Sequence, residues 1–247
     1  TTLLAALRGL GFYSIKFGDE QGLSGADTVL LDGRPVNAGS MLAAQAEGHN
    51  IVTIEGLGEH PEQGWKKTEG LHPLQQAFVE SGAIQCGYCT PAQILAAKAL
   101  LDENPNPSEG QVRAAIAGVL CRCTGYLKPV QAVLKAAAVM RGDEPVNWDS
   151  VNWDLGTWGD QPPANQPGSS PSSPSEQFAN LLTRPKVVVT PQTQTYQTVG
   201  KPEKKVDAVK LVQGKPAFTA DMDMRGMLYA RVLRSPHAHA RIKDIDA

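Results

Sequence analysis

The sequence lacks the marks of a membrane-spanning, nucleic-acid-binding or disulfide-stapled protein. No apolar run approaches the ~20 residues that a membrane span needs. Its 23 basic and 25 acidic groups leave a formal net charge of −2, which builds no basic nucleic-acid footprint. Only four cysteines occur in 247 residues, motif-spaced rather than scattered as in a disulfide scaffold, and this usage predicts a reducing, cytoplasmic setting. The chain opens at Thr1-Thr2-Leu3-Leu4 without a Met and stops at Ala247, and the patterns at both ends read as cut elements.

What is present is concentrated. Cys86-Gly87-Tyr88-Cys89 and Cys121-Arg122-Cys123 are two tight clips, placed where helices are expected to begin or end. Two such clips brought together make a four-thiolate cage, which suits an iron–sulfur cluster or a structural zinc ion. Zinc would hold the same elements together, although C-x-C is the less usual zinc clip. Gly125, after Cys123-Thr124, lets the backbone curl round a metal.

Along the chain, Leu3–Arg8 reads as a short amphipathic helix stopped by Gly9 and Gly11. A loop with Gly18, Gly22 and Gly25 follows. Thr28–Val36 reads as two strands joined at Asp32-Gly33, and Ile51–Glu55 as a third strand ending at Gly56. From 73 to 141 the pattern predicts four short helices around one core. Thr90-Pro91-Ala92-Gln93 and Ser108-Glu109-Gly110-Gln111 read as capping boxes. Val112, Ala115, Ile116, Val119 and Leu120 fall on one helical face, as do Val130, Val133, Leu134 and Ala137 after Pro129. Pro145–Ser175 is too polar to offset its chain entropy. It carries Val-Asn-Trp-Asp twice, a docking segment or a tether. Phe218–Asp221 and Met227–Arg234 read as strands. His237 and His239 share one face of a strand but lack a third ligand, which favours a surface role. Gly56-Leu57-Gly58 is too short for a dinucleotide loop.

Gln85-Cys86-Gly87-Tyr88-Cys89-Thr90-Pro91, followed by Cys121-Arg122-Cys123-Thr124-Gly125-Tyr126, closely resembles the helical iron–sulfur domain of molybdenum hydroxylases, the family of xanthine dehydrogenases and aldehyde oxidoreductases. Ala92 departs from the usual glycine. The resemblance implies a [2Fe-2S] cluster on Cys86, Cys89, Cys121 and Cys123. It also places Gln85 and Cys123 beside the pterin of a molybdopterin cofactor that another domain holds. The segment Lys16–Val29 resembles the ferredoxin loop that precedes this domain, but Asp19, Ser24, Asp27 and Gly39 stand where that loop has cysteines. Hard oxygen ligands substitute poorly for thiolates, and Gly39 offers none, so the fold is expected to persist without its cluster. Downstream, Val199–Pro202, Asp207–Lys210, Thr219–Asp221 and Leu233–Ile242 resemble the start of the molybdenum-binding subunit, and the flavin domain that some members insert is absent.

The expected architecture is therefore α+β: a degenerate ferredoxin-like (β-grasp) domain at 1–72, a four-helix iron–sulfur domain at 73–142, a linker at 143–194, and a partial α/β hammerhead-like segment at 195–247. The resemblance implies an oxidoreductase subunit that passes electrons to an external acceptor, with its catalytic residues on another chain or beyond residue 247. Expected partners are a molybdenum-binding catalytic subunit and a flavin or cytochrome acceptor, with FAD only on a partner. The alternative is a non-redox assembly subunit with a structural zinc site.

Overall fold

The computed structural model describes residues 1–19, 21–58, 70–143, 197, 203–222 and 224–244. Helix α1 (Leu3–Gly9) opens the chain; the Thr2 hydroxyl accepts the Ala5 N–H, and Leu3, Leu4 and Leu7 are buried. Strands β1 (Thr28–Leu31) and β2 (Arg34–Asn37) pair antiparallel, with Leu31 opposite Arg34. The two residues between them, Asp32 and Gly33, both take positive φ (49° and 81°). That is the tight turn whose twist matches paired strands, and an Asp-Gly pair adopts it at little cost. Strand β3 (Ile51–Val52) pairs with the other side of β1, giving the order β2-β1-β3. The expected third strand is shorter than its apolar pattern suggested. Ile54–Gly56 winds into a 3₁₀ turn that buries Ile54 completely, because the chain must turn from the sheet toward the helices.

Four helices follow, α2 (Pro73–Glu80), α3 (Thr90–Glu103), α4 (Glu109–Ile116) and α5 (Leu127–Arg141). Helix α4 starts with the predicted reciprocal cap, in which the Ser108 hydroxyl accepts the Gln111 N–H and the Gln111 side chain accepts the Ser108 N–H. The cap expected at Thr90 does not form. Cys89 occupies the N-cap, Thr90 lies inside the first turn, and Gln93 is fully buried, its amide unpartnered among the described residues. Helix α4 also ends sooner than its apolar face, at Ile116, which leaves Leu120 58% exposed.

Helices α2 and α5 pack against each other, and Leu74, Phe78, Ile94, Val112, Val130 and Val133 form the centre of the core. Burying each such side chain contributes about 1.5–3 kcal/mol. The same core takes in Leu30 from β1 and Ile54, so the sheet and the helices share their packing. A second, smaller core of Leu3, Leu4, Leu7, Ile15, Val29, Ala38 and Ala46 lies between α1 and the sheet.

The repeated Val-Asn-Trp-Asp segment, the expected linker and Val199–Pro202 lie outside the described residues. Beyond them, Ala208–Val212 forms a short helix, α6, in a stretch for which the sequence reading named no element. Its Ala208, Val209, Leu211 and Val212 are buried against the helical core. Phe218–Asp221 is a turn containing a 3₁₀ segment, not a strand. Met227–Arg234 carries no regular secondary structure, and its Leu228, Tyr229, Val232 and Leu233 are more than three-quarters exposed. A strand needs a hydrogen-bonded neighbour, and among the described residues this stretch has none. No helix among the described residues is long and apolar enough to cross a membrane.

Candidate metal centre

The two cysteine clips meet at one end of the helices. The first is the bend between α2 and α3. Gly87 takes φ +85°, and a Cβ built there would stand 2.6 Å from the Leu211 side chain, so only glycine fits this close approach. Tyr88 is tied down on both sides: its hydroxyl donates to the Phe17 carbonyl at 2.7 Å, and its ring meets Phe218 edge-on at 5.1 Å. Cys89 follows at the α3 N-cap, buried, with its carbonyl accepting the Gln93 N–H at 3.0 Å.

The second clip lies between α4 and α5. Tyr126 holds it from below. Its left-handed conformation (φ 67°) turns the chain into α5, its hydroxyl donates to the Val119 carbonyl at 3.2 Å, and the same oxygen accepts the Cys121 N–H at 2.8 Å. Thr124 completes the clip; its hydroxyl lies 3.1 Å from Cys121 Sγ and accepts the Tyr126 N–H at 3.1 Å.

All four thiols are free of disulfides, with Cys86 and Cys123 exposed, Cys121 half-buried and Cys89 buried. They interact across the clips: Cys86 faces Cys123, and Cys89 faces Cys121. Burial pushes the Cys86 thiol up; the nearby Cys123 and Cys121 thiols add to this, and the Tyr88 N–H opposes it. Cys89 is driven well above the ordinary thiol range by burial first, then by Cys121 and Cys86. Cys121 goes the other way. Burial would raise it, but the Thr124 hydroxyl and the Thr124 and Cys123 N–H groups outweigh that and favour its thiolate. Four thiols on two neighbouring clips are a donor set suited to a positively charged core, which deprotonates them on binding. Among the described residues, no three His, Cys, Asp or Glu side chains gather closely enough for one metal ion. Four cysteine sulfurs drawn from two clips are a donor set that serves a two-iron cluster or a zinc ion.

Gln85, adjacent to the first clip, is exposed, as are Cys86 and Cys123. His237 and His239 are both exposed, and the Ser235 hydroxyl accepts the His237 N–H in a local turn. The chain leaves Gly58 without entering a helix among the described residues.

The upstream loop is folded on its own oxygens. Asp19 accepts the N–H groups of Gln21, Leu23 and Ser24 at 2.8, 2.9 and 2.7 Å. Its carboxyl is held far below the usual range, chiefly by the Leu23 N–H, then by the Ser24 hydroxyl and N–H. Asp27 is buried and accepts the Gly39 N–H at 2.5 Å. Asp19, Ser24, Asp27 and Gly39 thus stay close together, with the carboxylates already committed to backbone donors. The loop rests against the second clip, where the Leu120 N–H donates to the Ser24 carbonyl at 2.8 Å. The roles of Tyr126 and Thr124, and the contacts of Leu211 and Phe218 with the first clip, were not foreseen from sequence. A Tyr one residue past Thr-Gly is the only signal for Tyr126.

Residues 53–134 match a protein family described as [2Fe-2S] binding domain. The nicotinate dehydrogenase small FeS subunit of Eubacterium barkeri is 48% identical over 123 residues, covering 50% of this chain and 73% of that protein. The xanthine dehydrogenase iron-sulfur-binding subunit of Escherichia coli O157:H7 is 43% identical over 139 residues, covering 54% and 80%. Among solved structures, the aldehyde oxidoreductase of Desulfovibrio desulfuricans ATCC 27774 superposes with a TM-score of 0.59 at 35% identity; the match covers 90% of this chain but 20% of that one. With the thiol cage, these likenesses establish that the chain belongs to the molybdenum hydroxylase family and carries its [2Fe-2S] binding domain.

Proposed function

We propose that this chain is the iron–sulfur electron-transfer part of a molybdenum hydroxylase, holding one [2Fe-2S] cluster on Cys86, Cys89, Cys121 and Cys123. The observation that carries the reading is the pairing of Cys86 with Cys123 and of Cys89 with Cys121, one sulfur from each clip in each pair. When bound, such a cluster relays single electrons between a molybdenum centre and an acceptor. The chain's own residues supply the four thiolates, donate hydrogen bonds to Cys121 from Thr124 and Cys123, fix the first clip through Gly87 and Tyr88, and bury Cys89 from water.

The same reading gives the exposed Gln85 and Cys123 the side that meets a molybdopterin, on a catalytic subunit or module carrying the acid–base and substrate residues. The assembled enzyme would hydroxylate an electron-poor carbon with a water-derived oxygen and pass its electrons to a flavin or cytochrome partner. Residues 1–72 form a ferredoxin-like (β-grasp) domain that has lost its cluster, with Asp19 and Asp27 taking over backbone N–H groups that a cluster would otherwise attract. Residues 73–142 form the helical domain, 143–194 the linker, and 195–247 the start of the molybdenum module. The 90% coverage by the aldehyde oxidoreductase match supports this continuity across the linker.

Iron and acid-labile sulfide analysis of the anaerobically purified protein is the test. About two irons and two sulfides per chain, with a visible spectrum bleached by dithionite, are expected. About four irons would restore a cluster to the upstream loop. Zinc without iron or colour would replace the reading with that of a structural scaffold.

A further inference from the structure

The segment that follows the linker lies in a groove between the N-terminal sheet region and the helices, and one carboxylate fastens it. Asp221 is 5% exposed. Its Oδ2 takes the Lys16 ammonium at 2.5 Å and the N–H groups of Ala217 and Phe218 at 3.2 Å, and its Oδ1 takes both terminal nitrogens of Arg8 at 3.2 Å. Lys16 is itself 2% exposed, donates to the Tyr13 carbonyl at 2.6 Å, and sits 4.8 Å from the centre of the Phe218 ring. Arg8 adds bonds to the carbonyls of Ala220 (2.7 Å) and Ile15 (2.9 Å). At the other end of the segment, the buried Gln75 amide on α2 donates to the Val212 carbonyl at 2.7 Å. Between these ends, Gly214 (φ +72°) lies so close to Ile54 and Ser14 that a Cβ there would overlap both.

Two contacts of this segment reach the first cysteine clip, Leu211 against Gly87 and Phe218 against the Tyr88 ring. We infer that residues 207–221 act as a strap, anchored by Asp221 on Lys16 and Arg8, which positions the Cys86–Cys89 clip by pressing Leu211 on Gly87 and Phe218 on Tyr88. Asp221 is a positioning residue in this scheme. It touches no thiol and works through the strap it fastens. The ion pair is well suited to the task, because removing Asp221 leaves Lys16 buried without a counter-charge and hydration then favours an open groove. Only the clip's role as a cluster ligand rests on the proposed function; the strap's docking does not.

Amide hydrogen exchange on the full chain tests the inference, in protein with and without iron. In Asp221→Ala, the Leu211, Gln213 and Lys215 amides should exchange about 100-fold faster or more, as a local opening. The Thr90 amide, which donates to the Gly87 carbonyl, should accelerate with them, while the buried Ala132–Ala137 stretch of α5 keeps its wild-type rate. Gly214→Ala, which dislodges the strap without touching the ion pair, should give the same pattern. Three results would each overturn the inference: strap amides already unprotected in the wild type, a Thr90 amide indifferent to strap release, or equal acceleration throughout α5. A sample that holds no iron yet shows the expected exchange would sink the cluster reading and leave the strap standing.

Discussion

At the scale of single residues, the second clip shows how one side chain tunes another. Burial would raise the Cys121 thiol, but the Thr124 hydroxyl and two N–H groups that point at its sulfur bias it toward the thiolate. Donors to a cluster sulfur stabilise the reduced, more negative state. Thr124→Val, close in shape but without the hydroxyl, is expected to lower the reduction potential of the proposed cluster by the worth of one charge-assisted bond, about 1.5–3 kcal/mol. A spectroelectrochemical titration reads the shift; Thr124→Ser should restore the potential, and an unchanged value in the valine variant would remove this role. The four cysteines were legible in the sequence because their spacing is itself the chemistry. Tyr126 was not, because its function depends on a left-handed φ that brings its hydroxyl back to Val119 and Cys121, and nothing in local propensity specifies that.

At the scale of elements, the strap depends on a carboxylate and therefore on pH. Burial alone would raise the Asp221 pKa, but Lys16 and the Ala217 and Phe218 N–H groups outweigh it and hold the carboxyl below its ordinary 3.8. A carboxyl depressed in the folded state contributes its stability fully above the unfolded value and loses it as pH falls through the folded one. Strap docking should accordingly be constant near neutrality, begin to weaken below about pH 4 and be lost only as pH falls through the lower folded value, read as faster protease cleavage near residues 207–221. Asp221→Asn should be cleaved readily at neutral pH as well. Elements with strong local signals matched their patterns: the Asp32-Gly33 hairpin, the Ser108 cap, and the helices α2 and α5. Those decided by tertiary neighbours did not. Ile54 left the strand to fill the core, and Cys89 displaced Thr90 from the cap.

For the whole molecule, the question is how many clusters the chain holds. The upstream loop keeps the four relevant positions near one another, and a Cβ on Gly39 would meet only the Asp27 carboxylate at 2.8 Å before any other atom. Replacing Asp27 removes that obstacle. The quadruple variant Asp19→Cys, Ser24→Cys, Asp27→Cys and Gly39→Cys is expected to gain about two irons per chain over the parent after anaerobic reconstitution. An unchanged iron count would mean that the loop lacks a cluster-binding shape as well as thiolates. Restoring Asp19 alone in that variant should abolish the gain, since three thiolates leave one iron site short.

The uneven depth of the thiols has a consequence for the free chain. Cys89 is sealed inside, but Cys86 and Cys123 meet solvent, as does Gln85 beside the first clip. A lone copy would offer that side of its cargo to dioxygen and to scavenging chelators, while the inner sulfur stayed out of reach. In the proposed assembly, a protein lying over Cys86 and Cys123 would do two jobs, wiring the centre to its electron donor and sheltering it from air.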